Sequence, residues 1–426
     1  MHAVPDTVLS LRRGWIVVAA TFTTLFMLLG VWYSYSVFLV ALLKDFGWSR
    51  SVVAGAFSTF VLVHGLVAPL VGWLTHRFGP RRLVLWGTVI MGLGLVLAAE
   101  TTAWWHLYLS FGGIAALGVS LAAWIPSVVL ARGWFPTRVG TAVGITSGGI
   151  GMGIFALVPL TQLLIDWYGW RWAFRILAVL IVAWVLPATL LLVRDPPRAA
   201  DSQPAEQASP GVASADTYWT FATAVRSWQF WGVAAVQFTG NFVTQMLMIH
   251  QVAYLVDHGV PTLVAAMLGG IAGLVSIVGK IGWGVLSDRT NRELAYGLGF
   301  GCVVVSIGVL VLAGRHPASF LPYLYAVLIG LGYGVMAPLP PAVISDLFSG
   351  PGFSTIFGAI YTGGALGLAT GTWSAGCIFD YTGSYAGALW LGLVMAVLSP
   401  LLLLAVAPRR PNPAPLRNDQ YGVADS

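Results

Sequence analysis

Twelve long stretches without a charged residue constrain the fold of this chain more than any other feature of its sequence. A helix that crosses a membrane needs about 20 mostly apolar residues, because each residue adds about 1.5 Å along the axis and the hydrocarbon core is about 30 Å thick. The stretches, each of 17 residues or more, cover residues 14–43, 51–76, 83–99, 101–131, 139–165, 176–193, 227–256, 258–279, 294–314, 316–345, 347–379 and 381–408. The sequence therefore predicts twelve transmembrane helices.

The composition of the chain supports a membrane environment for these helices. Hydrophobic residues make up 58% of the 426 residues and only 8% are charged, whereas about 25% of the residues of a soluble protein are charged. A disordered chain and a collagen-like chain are therefore excluded, and a water-soluble enzyme is disfavoured. The stretches show no alternation of period two, and lipid admits only helices or closed barrels. We predict an all-α integral membrane protein.

One polar segment divides the twelve stretches into two groups of six. Between Arg194 and Arg226 the sequence is rich in Pro, Ala, Ser and Asp, a composition typical of a flexible linker. The predicted organisation is a tail at 1–13, a six-helix bundle at 14–193, the linker at 194–226, a second six-helix bundle at 227–408 and a tail at 409–426.

The basic residues predict how the chain is oriented. An even number of crossings places both termini on one side, and fifteen of the 21 lysine and arginine residues lie in the tails and loops of that side, against five on the other. Cytoplasmic loops carry an excess of Lys and Arg. We therefore predict a multi-pass protein of the cell membrane (the inner or plasma membrane) with both termini in the cytoplasm.

Two pairs of matching segments indicate that the halves are duplicates of one unit. Residues 72–77 match residues 284–289 at an offset of 212, and residues 149–169 match residues 363–383 at an offset of 214. Transporters built from two such halves, related by an axis along the membrane normal, bind their substrate near the middle of the membrane, between the halves.

The repeated loop carries a known motif. GWLTHRFGPRR, at 72–82, resembles the loop signature of the major facilitator superfamily, although His76 stands where that family usually has Asp; the second copy keeps Asp288 and Arg289. The resemblance implies the superfamily fold of twelve helices in two halves. Carboxylate and guanidinium groups at a helix end can bridge to a neighbouring helix and lock one conformation. The predicted gate residues are Arg77, Arg81, Arg82, Asp288 and Arg289.

Longer segments resemble one branch of that superfamily. They are YSYSVFLVALLKDFGWSR (33–50), WFPTRVGTAVGITSGGIGMG (134–153), DWYGWRWAF (166–174), PLPPAVISDLFSGPGFSTIFGAI (338–360) and AGCIFDYTGSY (375–385). These segments are similar to the monocarboxylate transporters and their oxalate–formate antiporter relatives. The resemblance implies transport of a small organic anion.

Lys280 directly follows the eighth charge-free stretch and lies inside the apolar segment that continues to Asp288, about two turns further on. A charge at the centre of a spanning helix costs about 2.5–3.5 kcal/mol on insertion scales and normally marks a substrate pathway. The eight residues to Asp288 correspond to about 12 Å of helix, more than a lysine stem spans, so we expect the ammonium to stay inside the membrane. Acidic residues lie near the ends of the stretches, at Asp166, Asp257, Asp346 and Asp380. We predict that an incoming carboxylate supplies the missing negative charge.

The resemblance to the monocarboxylate transporters also concerns Lys280 and its neighbours. In the monocarboxylate transporters Lys280 is usually replaced by Arg, and an Asp stands one turn earlier, where this chain has Ser276. The family's lysine of the first helix corresponds to Tyr33. Lysine binds a carboxylate as a point charge, whereas arginine binds it as a bidentate fork. A single central cation favours a substrate with one carboxylate over a dicarboxylate.

Polar residues of the seventh stretch are the next candidates. Gln237, Asn241 and Gln245 recur every four residues and share one helix face, and His250 follows about one turn later. Polar side chains in lipid prefer the bundle interior, and a histidine there can accept a proton or bind a carboxylate. The residues of the second stretch include His64, which we interpret as a packing residue.

Aromatic side chains complete the predicted cavity, because they can enclose a small acyl group and donate a hydrogen bond. The candidate substrate-binding residues are Lys280, His250, Ser276, Tyr33, Tyr333, Tyr361, Asn241 and Trp124. Lys280 and His250 are also the proton-coupling candidates. No metal site, cofactor site or nucleotide motif is indicated, and the basic residues form no patch for nucleic acid.

We predict a secondary active transporter of a small organic monocarboxylate, coupled to protons and working by alternating access as a monomer in the lipid bilayer. Two alternatives within transport stay open: an organic-anion antiporter of the oxalate–formate type, and a carrier of an unrelated small solute. A ligand-sensing receptor and a membrane enzyme are disfavoured, because the sequence has no large signalling domain, no paired intramembrane carboxylates and no activated nucleophile.

Overall fold

The computed structural model describes residues 5–135, 139–195, 219–348 and 353–406, which contain helices and no β-strand. A π-helical segment at Tyr108–Ala115 joins α5 to α6. The α-helices are α1 (Pro5–Tyr33), α2 (Tyr35–Phe46), α3 (Arg50–Phe78), α4 (Pro80–Ala99), α5 (Trp104–Leu107), α6 (Ala116–Ala122), α7 (Trp124–Trp134), α8 (Val139–Leu192), α9 (Phe221–Val225), α10 (Trp228–Asp257), α11 (Thr262–Arg289), α12 (Arg292–Arg315), α13 (Leu321–Gly334), α14 (Leu339–Leu347), α15 (Phe353–Thr382) and α16 (Ala386–Val406).

The helices are long enough to cross a membrane. Nine segments of the described chain satisfy length and hydropathy requirements for a membrane span. One of these contains most of α8, whose 54 residues are interrupted by Gly169 at φ 81° and ψ 162°, so that α8 makes two passes. The 30-residue helices α10 and α15 also exceed the length of about 20 residues that a span needs. Counted in this way the described residues contain helices long enough for twelve passes, and the prediction of an all-α membrane fold is confirmed.

Short polar or glycine caps fix the ends of several passes. Gly47, at φ 63°, ends α2 in the left-handed conformation, which a residue without a Cβ adopts at little cost. The hydroxyl of Ser49 accepts from the backbone N–H of Val52 at the start of α3, and Asn291 accepts from Leu294 at the start of α12. Such caps satisfy N–H groups that the helix itself leaves free.

The two halves repeat the same close helix contact. Gly153 of α8 lies against the backbone of Phe26 in α1, where a Cβ would come within 3.0 Å of the carbonyl carbon. Gly367 of α15 lies in the same way against Phe238 of α10, with a corresponding distance of 2.9 Å. The glycines and the phenylalanines are related by the offsets found in the sequence. The first and fifth passes therefore pack together as the seventh and eleventh do.

Three passes are broken near their middle. The first pass is interrupted by a single turn residue, Ser34, between α1 and α2. The fourth pass breaks at Ala123, whose φ of −89° and ψ of −107° are not helical, and the tenth breaks over residues 335–338. The last two breaks fall at corresponding positions of the duplicated halves. Discontinuous helices at matching positions are typical of transporter binding sites.

The halves are closed at one end of the bundle, which we call the Arg50 end; the other, where α1 begins and α16 ends, we call the terminal end. At the Arg50 end the N-terminus of α3 contacts α10, α15 and the turn before α16. Nearer the middle, Ser58 donates to the carbonyl of Ala369, and Tyr33 bonds to Tyr333. These are the polar contacts found between the halves within the described residues.

The domain boundaries stay a prediction. The helical bounds agree with it, since α8 ends at Leu192, α10 begins at Trp228, and the short helix α9 lies inside the proposed linker. Residues 196–218 of that linker, residues 1–4 of the first tail, and 407–426, which include the second tail, lie outside the described residues.

Gly153→Ala and Gly367→Ala should each lower the stability of the purified protein by about 1–3 kcal/mol, because the added methyl group forces a backbone displacement in a close-packed contact. The repeat predicts effects of similar size in the two halves. Thermal unfolding followed by tryptophan fluorescence in detergent measures the change.

The matched control is Gly308→Ala in α12, where a Cβ would meet nothing within 4 Å. This control should keep or slightly raise the melting temperature, since alanine favours helix more than glycine does. Equal melting temperatures for Gly153→Ala and the control would contradict the proposed packing.

Candidate functional site

The position of Lys280 is set by a close approach of two helices. Gly279 of α11 and Gly334 of α13 face each other, and a Cβ on Gly334 would lie 2.8 Å from the backbone nitrogen of Lys280. The two backbones can come this close because neither glycine has a side chain. The Lys280 ammonium consequently lies 5.7 Å from the centre of the Tyr333 ring, within the range of about 6 Å for a cation–π contact.

The Lys280 ammonium has no hydrogen-bond or ion-pair partner among the described residues. Its Nζ atom is buried and makes no hydrogen bond, although part of the residue's stem is exposed. The ion pairs of the described chain lie elsewhere, and each uses an arginine. An unpaired charge in an apolar interior is costly. The site therefore favours a ligand that brings a negative charge.

Tyr33 and Tyr333 connect the two halves beside Lys280. Tyr33 ends α1 in the first half, Tyr333 lies next to the break after α13 in the second, and their hydroxyl oxygens are 2.6 Å apart. Their rings meet edge to face, with centroids 6.1 Å apart. One hydroxyl must donate to the other, and the proton of the accepting hydroxyl remains available to a ligand.

Ser276 lies one turn before Lys280 and is fully buried. Its hydroxyl donates to the carbonyl of Gly273 at 2.6 Å, so its proton is already used. Serine in this arrangement can still accept a hydrogen bond. It does not replace the negative charge of the aspartate that the resemblance places there.

Three other candidates have no recorded contact with Lys280 in the described part of the chain. Asn241 donates to the carbonyl of Gln237 at 2.8 Å. Tyr361 is 46% exposed, and its ring is stacked on that of Phe357. Trp124 is half-buried at the start of α7, directly after the break in the fourth pass. The structure thus groups Lys280, Tyr33 and Tyr333, with Ser276 next to them on α11 and Tyr361 close enough to both tyrosines to interact with them electrostatically.

His250 belongs to a different cluster, at the Arg50 end. Its side chain is 4% exposed. Its Nδ1 lies 3.0 Å from the hydroxyl of Tyr385, and its Nε2 lies 2.9 Å from the carbonyl oxygen of Thr372. Both ring nitrogens are therefore engaged with protein groups rather than open to a substrate.

Tyr385 joins His250 to Arg50. The guanidinium of Arg50 donates to the Tyr385 hydroxyl at 2.6 Å, and its other nitrogen pairs with Asp257 at 2.7 Å. Tyr385 lies in the turn between α15 and α16, where burial raises the pKa of its phenol. The hydroxyl therefore keeps its proton and can donate it to His250.

Asp380 caps a helix of the opposite half. Its two carboxylate oxygens accept from the backbone N–H groups of Arg50 and Ser51, each at 2.8 Å. These N–H groups belong to the first turn of α3, where a helix has no internal acceptors and carries a partial positive charge. The contact therefore fastens α15 to the start of α3.

Sequence reasoning did not identify this cluster. The sequence places Asp257 and Asp380 at the ends of apolar stretches and Arg50 in a loop between two of them, and it does not show that the three meet. All three residues lie at the same end of the bundle, which is the one feature of the sequence that indicates a contact between them. The sequence separations of 207 and 330 residues between Arg50 and its two acidic partners hide the pairing.

The predicted gate residues of the first half lie at the terminal end. Arg81 donates to the carbonyl of Leu190 at 2.6 Å, and its backbone N–H donates to Asp195 at 3.2 Å. Asp195 thus lies beside the motif in which His76 replaces the usual aspartate. Arg77 lies over the ring of Trp73. These contacts connect helices within the first half.

The repeated loop motif of the second half also connects helices within its own half. Arg292 pairs with Asp288 at 3.0 Å and with Asp346 at 3.2 Å, which ties α11, α12 and α14 together. Arg82 and Arg289 are exposed. The contacts found for the motif residues lie within the halves, and the gate role of these residues stays a prediction.

Comparison with known proteins identifies the family. The family model of the Major Facilitator Superfamily matches residues 21–325. The chain is 27% identical over 422 residues to monocarboxylate transporter 12-B of Danio rerio, covering 92% of this chain and 87% of the relative. It is 28% identical over 382 residues to monocarboxylate transporter 13 of Bos taurus, covering 87% of this chain and 84% of the relative. The resemblance stated from the motifs is confirmed.

Solved structures show the same fold. A bacterial homologue of the human lysosomal transporter Spinster, in an inward-facing and occupied conformation, aligns with a TM-score of 0.70 at 15% identity, covering 92% of this chain and 96% of that one. The structure of a bacterial Spinster homologue in an inward-facing and unoccupied conformation aligns with a TM-score of 0.65. The protein is thus a multi-pass transporter rather than an enzyme, and it belongs to the Major Facilitator Superfamily.

Proposed function

We propose that the protein carries a small organic monocarboxylate, such as lactate or pyruvate, across the cell membrane together with protons, by alternating access. One observation carries the proposal: the Lys280 ammonium is buried without a protein partner, beside the Tyr33–Tyr333 contact of the two halves. A carboxylate bound there would satisfy the ammonium. The names of the similar proteins support this choice of substrate.

The number of positive groups favours one carboxylate. Lys280 is the buried cation of this site, and the paired arginines of the described chain lie at helix ends. A dicarboxylate would need a second positive group to offset its second charge. The tyrosine hydroxyls offer one free proton, which suits a carboxylate or a neighbouring keto or hydroxyl oxygen.

Proton coupling follows from the same charge balance. A carboxylate is held in an apolar site by the charged form of Lys280, so binding of the anion and retention of the proton favour each other. Alternating access requires the contacts of the Arg50 end to open in turn. With both termini in the cytoplasm, as we propose, the Arg50 end faces away from the cytoplasm.

Lys280→Gln should reduce the uptake of radiolabelled lactate or pyruvate into proteoliposomes by about 10- to 100-fold, which corresponds to the loss of a hydrogen bond to a charged group. Lys44→Gln is the matched control, since Lys44 is the only other lysine of the chain and lies exposed at the end of α2. Undiminished uptake by Lys280→Gln, with the protein correctly inserted, would remove Lys280 from the mechanism.

The same vesicles distinguish the transport alternatives. Symport predicts uptake that increases when the outside is made acidic and needs no internal anion. Uptake of formate or oxalate that depends on an anion inside, with no proton movement, would support antiport instead. Absence of transport for every acid tested would favour a carrier of an unrelated solute.

Tyr333→Phe should raise the KM for the transported acid about fivefold, because it removes one hydroxyl from the pair beside Lys280 and a hydrogen bond contributes about 1 kcal/mol. Tyr323→Phe provides the control on the same helix, where Tyr323 is exposed. If Tyr333→Phe and Tyr323→Phe have the same KM, the tyrosine pair does not bind the substrate.

A further inference from the structure

A chain of hydrogen bonds crosses between the halves at the Arg50 end and terminates inside the second half. It runs from the Arg50 guanidinium to the Tyr385 hydroxyl, on to Nδ1 of His250, and from Nε2 of His250 to the carbonyl of Thr372. Arg50 belongs to the first half and the other three residues to the second. The state of His250 is therefore connected to the contact between the halves.

The chemistry of the two ends fixes the direction of every bond in this chain. A carbonyl oxygen only accepts, so Nε2 of His250 carries a proton and donates it to Thr372. A guanidinium only donates, so the Tyr385 oxygen accepts from Arg50. The single Tyr385 proton then points to Nδ1. The chain is complete only when Nδ1 has a free lone pair, that is, when His250 is neutral.

A second proton on His250 is incompatible with this arrangement. With Nδ1 protonated, the ring and Arg50 would both donate to the Tyr385 oxygen, and the Tyr385 proton would lose its acceptor. Two cations would then lie within about 6 Å of each other, an arrangement that like-charge repulsion disfavours. The contact of Arg50 with Tyr385 is the element that the repulsion would break.

The surrounding titratable groups can take part in the rearrangement. Asp257 of α10 pairs with Arg50, and Asp380 of α15 caps the start of α3. Tyr254 of α10 lies next to Tyr385, with ring centroids 6.0 Å apart. A small cavity lined by His250, Tyr385, Gln251 and Tyr254, among others, adjoins the ring.

We infer that His250 is a proton-binding site that controls the Arg50 end: neutral His250 holds the two halves together, and a proton taken from the water at that end by Nδ1 releases Arg50 and opens the bundle there. The inference rests on the proposed proton-coupled function and assigns one of its steps. It gives His250 a role in positioning the halves rather than in binding the substrate.

The test measures the separation of the halves without any substrate. Spin labels are attached at Lys44→Cys in the first half and at Tyr381→Cys in the second, both exposed near the Arg50 end, with Cys302 and Cys377 replaced by serine. Pulsed electron–electron double resonance in lipid nanodiscs then gives the distribution of distances between the two labels. It is measured at about pH 8 and about pH 5, because a histidine changes its charge in this range. We expect longer distances at the lower pH.

Two variants identify the responsible group. His250→Gln removes the titrating ring, and Tyr385→Phe removes the oxygen that connects it to Arg50 while keeping the packed aromatic ring; both should abolish the shift with pH. The matched control His64→Gln, which alters a histidine that contacts Ser120 within the first half, should keep the shift. A shift of wild-type size in both His250→Gln and Tyr385→Phe, or its absence from the wild type, would overturn the inference.

The distance measurement and the transport assay test the inference and the proposed function separately. A distance shift that depends on His250, in a protein that transports none of the tested acids, would leave the inference standing and remove the monocarboxylate proposal. Lactate transport driven by a pH gradient, in a protein whose distances do not respond to pH, would retain the proposed function and remove the inference.

Discussion

The unpaired ammonium of Lys280 is the constraint on which the functional architecture depends. A charge placed in lipid is expensive, and protein acids usually offset that cost. Here the acids pair with arginines at the ends of the helices. Lys280 is left without a protein anion in the described chain. In the mechanism that we propose, its location beside a contact between the halves couples occupancy of the site to movement of the halves.

Glycines give the halves the rigidity that such a process needs. Gly153 and Gly367 bring backbones into direct contact at corresponding places, so each half can turn as a unit. Between the halves the contacts are of another kind, with hydrogen bonds and an ion pair at the Arg50 end. Packed interiors resist deformation, whereas polar contacts can exchange partners with water. The molecule is therefore expected to move at the contacts between the halves.

Much of the fold could be predicted from charge placement alone. The apolar stretches anticipate the passes, although the helices extend beyond them: the part of α8 before Gly169 includes Asp166, and the part after it includes Arg171 and Arg175. Lys280 could be identified because it stands alone in its stretch. The break at Ala123 was not predicted, although Pro126 lacks the backbone N–H that would bond to the carbonyl of residue 122.

The site was predictable only in part, for a physical reason. Sequence periodicity shows which face of a helix a residue occupies, but not which distant residue it meets. The partners of His250 lie 122 and 135 residues away, so the sequence indicated a polar histidine without showing that both nitrogens were engaged. Tyr33 and Tyr333 were each candidates, yet their bond across 300 residues required three-dimensional coordinates.

The bond between the Tyr33 and Tyr333 hydroxyls has a consequence for an empty carrier. When the halves separate at these two tyrosines, their hydroxyls lose the hydrogen bond between them. A buried polar group without a partner is unfavourable. Cargo that offers oxygen atoms to both rings removes this penalty. An unloaded molecule would therefore reorient more slowly than a loaded one, which limits leakage of the ion gradient through futile cycles.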